Sequence, residues 1–140
     1  MPGARGQGVC DGVVKPYVGP PSFIASLYSQ QRTGHHGKAT FRQGATIISY
    51  MLTLSPGIDV AEAHIILFHP LASIAQQFAE DPFDNIIADL VKGEGKIKNV
   101  VPGSPCNFQG LLQEMAAGHA RVVVLTTGGE HIEGQIEIQK

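Results

Sequence analysis

Residues 121–140 read RVVVLTTGGEHIEGQIEIQK. From Arg121 to Thr127 the chain is β-branched and apolar, Gly128 and Gly129 supply a turn, and Ile132, Ile136 and Ile138 then alternate with Glu133, Gln135, Glu137 and Gln139. Alternation with a period of two places one face in a core and the other in water, so this stretch predicts a C-terminal β-hairpin.

Upstream of the hairpin the punctuation changes to that of helices. Leu71, Ile74, Ala75 and Phe78 recur at the spacing of one helical face. Asp81 as N-cap and Pro82 at the first position announce a second helix, carrying Phe83, Ile86, Ile87 and Leu90 before Gly93. Ser104 and Pro105 announce a third, with Phe108, Leu111, Leu112 and Met115 on one side and Gly118 as its stop. Ala63–Phe68, ahead of the first of these helices, and Lys96–Val101, between the second and third, read as short strands. Nearer the N-terminus, Ser22 can cap a short helix bearing Phe23, Ile24, Leu27 and Tyr28. Lys38 to Leu54 reads as extended chain broken near Gly44, with Ile48, Tyr50, Leu52 and Leu54 on one face. Strand, helix, strand, helix, strand implies parallel crossovers, whereas the tail implies antiparallel pairing. The expected fold is therefore α+β, or small α/β: a single domain whose mixed β-sheet is packed by three or four short helices.

The chain has 140 residues, enough for one core. Met1 to Pro21 contains five glycines and four prolines and cannot continue a helix or a central strand. It reads as an extended arm, 1–21, ahead of a globular domain, 22–140. The arm carries Val9, Val13, Val14, Tyr17 and Val18, which gain by burial and so make it a candidate for contacts between copies.

Several function classes are disfavoured by composition. No apolar run approaches the roughly 20 residues of a membrane helix, and the glycine-rich start lacks a secretory h-region, so a cytoplasmic setting is expected, with membership of a larger particle open. The formal net charge is -2, but it divides unevenly: five basic residues against one acid in residues 1–58, five against eleven in residues 59–140. That field is too weak for nucleic acid, while opposite halves favour self-association. Cys10 and Cys106 have no framework or CxxC spacing, and the six histidines show no HExxH or HxH pattern; His35 and His36, adjacent, would point apart on a strand. Neither a metal nor a cofactor is expected.

Three functional expectations remain. The first is a non-enzymatic, self-associating structural or assembly subunit that uses the arm and a sheet edge in a homo-oligomer. The second is a small enzyme or ligand-binding domain. If the strands at 63–68, 96–101 and 121–127 were parallel, one sheet edge would collect His69 as a base and, near Ser104, a Cys106 thiol in the first turn of its helix. The third is a phosphate or nucleic-acid contact through Arg32, His35, His36, Lys38 and Arg42.

Overall fold

The computed structural model describes residues 16–67, 86–98 and 108–139. In chain order its elements are β1 (Ser22–Ser29), β2 (His36–Gln43), β3 (Ile48–Leu54), β4 (Val60–Leu67), β5 (Ile86–Asp89), β6 (Gly93–Ile97), α1 (Phe108–Ala117), β7 (Ala120–Thr126) and β8 (His131–Ile138). All eight strands belong to one sheet, ordered β5-β4-β7-β8-β1-β2-β3-β6, and every pairing is antiparallel.

Strand order and chain length together force this sheet to curl. β5 and β6 stand at its two ends, yet only Leu90, Val91 and Lys92 separate them in sequence. A flat eight-stranded sheet would hold its end strands ~34 Å apart at ~4.8 Å per step, whereas the stretch from Asp89 to Gly93 spans at most ~14 Å. The ends must therefore meet, and the sheet is a nearly closed barrel. A barrel of eight strands has an interior just wide enough for side chains to fill. Phe23, Phe41, Leu52, Ile65, Ile87 and Ile136 fill it and are essentially inaccessible to water.

Among the described residues there is one helix, and it is held by its own sequence. Gly118, at φ 82°, takes the left-handed position after the last turn. Its N–H donates to the Met115 carbonyl at 3.3 Å, and the His119 N–H donates to the Glu114 carbonyl at 2.9 Å. These are the two bonds of a Schellman stop. Leu111, Leu112 and Met115 are fully buried in the same cluster as the barrel interior, so α1 covers the end from which β7 starts.

The α+β, mixed-sheet expectation is thus overturned. Ser22–Ser29 is a strand, not a capped helix: Phe23, Ala25 and Leu27 face inward while Ser26 and Tyr28 are exposed. Ile86–Asp89 is likewise a strand, where the Asp81-Pro82 signal predicted a helix through Leu90. The segments at 71–78 and 81–85, and the Ser104-Pro105 start, lie outside the described residues. Parallel crossovers are absent from the described ladders, because β4 pairs antiparallel with both β5 and β7. Nor is the last strand an edge: β8 pairs with β7 on one side and β1 on the other. The edges belong to β5 and β6, only four and five residues long. Among the described residues, no helix is long and apolar enough to cross a membrane.

Candidate functional site

A barrel filled by its own side chains leaves binding to its outer surface and rims. A concavity of about 900 Å³ crosses the outside of β2, β3 and β6 and reaches Ser22 and Gln139. Strand register arranges its side chains in transverse rows. One row runs Ser22, Arg42, Ser49, Lys96. The next, two residues along each strand and so ~7 Å away, runs Glu137, Ile24, Thr40, Met51, Glu94, of which Thr40, Met51 and Glu94 line the concavity. The first row joins two cations to two hydroxyls. The second has an apolar middle, with Met51 39% exposed, and a carboxylate at each end.

Arg42 donates from Nη1 to Ser22 Oγ at 3.1 Å, which anchors one arm of the guanidinium fork. Among the described residues no ion pair engages Arg42, Lys38 or Lys96. The floor beneath them is firm. Tyr50 crosses Gly95, where an added Cβ would stand 2.3 Å from the phenol ring, and its hydroxyl accepts the Val91 N–H. Glycine at 95 is what lets a tyrosine lie flat under the groove.

At the opposite end of the barrel from Ala120 lies a second cluster, around Glu130. This carboxylate is 9% exposed and accepts hydrogen bonds from the Ser29 and Thr33 hydroxyls on one oxygen. His35 Nδ1 meets the other oxygen at 2.7 Å. The bonds from Ser29, Thr33 and His35 hold the Glu130 carboxyl down to about 2, against its burial. Together they clip the loop between β1 and β2 onto the turn between β7 and β8. Beside the clip is a cavity of about 340 Å³ lined by Tyr28, Ser29, Gln31, Gly34, His35 and His36.

The residues singled out from sequence are dispersed by the fold. His36, Lys38 and Arg42 are exposed along the outer face of β2, and Arg42 lines the groove. Arg32 is exposed in the preceding loop, and His35 turns away to Glu130. Of the arm, Tyr17 docks on its own domain: its N–H donates to Gln109 Oε1 at 2.7 Å and its ring tilts against Phe23 at 6.0 Å. Burial raises its phenol pKa. Val18 is 93% exposed. Val9, Val13, Val14, His69, Ser104 and Cys106 lie outside the described residues. The strands at 63–68 and 121–127, which that site supposed parallel, pair antiparallel. Leu67 pairs with Ala120 while Val60 pairs with Thr126, so the end of β4 and the Thr126–Gly128 turn sit at opposite ends of the barrel.

Ser49, Met51, Glu94 and Lys96 carry no local sequence signal and become neighbours of Arg42 only through long-range pairing. Elsewhere, His64 on β4 lies between Asp89, 2.9 Å from Nδ1, and Glu62, 3.0 Å from Nε2. Among the described residues, no group of three or more His, Cys, Asp or Glu side chains is placed to hold a metal ion. No protein-family model, no curated protein and no solved structure matches this chain.

Proposed function

We propose that this barrel is a non-enzymatic binding module whose outer groove takes a small anionic ligand with an apolar body. The observation that carries this reading is the row Ser22, Arg42, Ser49, Lys96, in which two cations without ion-pair partners among the described residues flank hydroxyl donors. A phosphate or carboxylate over that row receives charge-assisted hydrogen bonds worth ~1.5–3 kcal/mol each. Thr40 and Met51, ~7 Å further along the strands and lining the same concavity, suit an attached hydrocarbon. A concavity of about 900 Å³ is of the size that small-molecule sites occupy. Glu94 and Glu137 at the ends of the second row repel an extended polyanion, which disfavours nucleic acid.

Titration of the full chain with hexyl phosphate, followed by amide shifts, tests the reading. Shifts are expected at Thr40, Ser49, Met51 and Lys96, with inorganic phosphate and hexanol each binding more weakly. Replacing Arg42 and Lys96 by Gln weakens binding at least tenfold, since ~1.4 kcal/mol is a factor of ten. Shifts elsewhere, or affinity indifferent to both substitutions, would sink the proposal. Self-association is the competing reading, motivated by the 93% exposure of Val18; a concentration-dependent sedimentation coefficient abolished by Val18→Ser would favour it.

A further inference from the structure

Among the charged side chains that line the groove, Arg42, Lys96 and Glu94, capture of an anion leaves the last without a role. Glu94 is exposed on β6, and two cations lie close to it in the chain without neutralising it. Lys92 donates from Nζ to the Ile58 carbonyl at 3.4 Å. Among the described residues no ion pair joins Glu94 to Lys96 or to any other cation. A groove built for an anion alone would gain by losing this carboxylate, which repels such a ligand.

Main chain sets the spacing of the charges. Glu94 and Lys96 are alternate residues of one strand, so they share its outer face ~7 Å apart. Gly95 between them rests on the Tyr50 ring, where an added Cβ would stand 2.3 Å from the phenol. In register, Lys96 is opposite Ser49 and Ser49 is opposite Arg42, while Glu94 is opposite Met51. An anion over Ser49 is thus flanked by two cations, with a carboxylate one row away beside an apolar side chain.

We propose that the groove selects a zwitterion: a phosphate or carboxylate held over Arg42, Ser49 and Lys96, and a primary ammonium held by Glu94 one row further along the strands. This rests on the anion site proposed above and narrows its ligand to an ω-amino phosphate or carboxylate whose short hydrocarbon spacer passes Met51. A quaternary ammonium fits less well. It donates no hydrogen bond to a carboxylate, and the neighbours of Glu94 in its row, Met51 and Thr40, form no aromatic cage.

A matched pair of ligands tests this by amide-shift titration of the full chain. Aminopropyl phosphate has the length of butyl phosphate but ends in an ammonium, roughly 6 Å from phosphorus when extended. It is expected to bind about threefold tighter, the scale of a partly solvated ion pair, with the Glu94 amide shifting further than it does for butyl phosphate. Glu94→Gln reverses the order, weakening aminopropyl phosphate and, with a repulsive carboxylate gone, tightening butyl phosphate. Three results would overturn the assignment while leaving the anion site standing: butyl phosphate binding in the groove as tightly as its amino partner, the preference surviving Glu94→Gln, or that substitution weakening both ligands alike. Butyl phosphate failing to bind in the groove at all would remove the anion site and the zwitterion with it. Phosphatidylethanolamine vesicles separate the two sources of this chemistry: displacement of the bound aminopropyl phosphate marks a lipid headgroup, and its lack marks a free aminoalkyl phosphate.

Discussion

Val91 donates its main-chain N–H to the Tyr50 hydroxyl at 2.8 Å, tying the short link between β5 and β6 to β3. Tyr50 is 7% exposed, so the bond is sheltered from water where the two ends of the sheet meet. Tyr50→Phe keeps the ring over Gly95 but leaves a donor unsatisfied, which costs ~1–2 kcal/mol. A lower urea midpoint and faster amide exchange at Val91 are expected, with exchange in β7 and β8 changed only through global stability.

Gly134 of β8 lies against the main chain of β1: a Cβ there would stand 1.9 Å from the Ser26 carbonyl oxygen. That obstacle is main chain and cannot rotate away. Gly134→Ala therefore forces the strands apart and costs on the order of 3 kcal/mol or more. Thermal unfolding measures it, and a variant within 1 kcal/mol of the parent would contradict the close approach.

Glu130 makes stability depend on pH in a defined window. Its carboxyl is lowered from 4.5 to about 2 in the folded chain, so its contribution is fully present above about 4.5 and is lost as pH falls toward about 2. Glu130→Gln destabilises at pH 7. The gap between parent and variant narrows as pH drops from 5 to 2, because only the parent has a carboxylate to protonate. Urea midpoints at pH 7, 4 and 3 check the sign, and a gap constant with pH would refute it.

Leu112 has no accessible surface and belongs to the cluster shared by α1 and the barrel. Leu112→Ala removes buried atoms and leaves a void, for a loss of ~2–5 kcal/mol. Val18→Ala, at a side chain 93% exposed, is expected to change stability by less than ~0.5 kcal/mol. Denaturant titration of the two variants compares helix packing with an exposed side chain of the arm.

The strands that could be read from sequence are those whose large side chains alternate without interruption, such as Ile48, Tyr50 and Leu52 in β3. In β1 the inward set is Phe23, Ala25 and Leu27, with Ala25 small and Ile24 and Tyr28 turned outward. The large residues at 23, 24, 27 and 28 then imitate a helical face. In β5, Ile86 and Ile87 follow a strong capping signal, and four residues are too few to display a period. Strand direction was hidden for a different reason: β4 and β5 are joined through residues 68–85, long enough for a parallel crossover, and they pair antiparallel all the same. Of the groove, the basic run disclosed Arg42. Lys96 lies more than fifty residues away and meets it only through β3, a pairing that no local pattern encodes. The clip on Glu130 was equally silent, since its partners Ser29, Thr33 and His35 sit about a hundred residues upstream.

β8 lies between β7 and β1, with Ile138 beside Phe23. On the ribosome, β1 must wait for about a hundred further residues to be synthesised before β8, its second neighbour, exists. Until then β1 has an open flank, and a nascent chain in that state is a natural client for a chaperone.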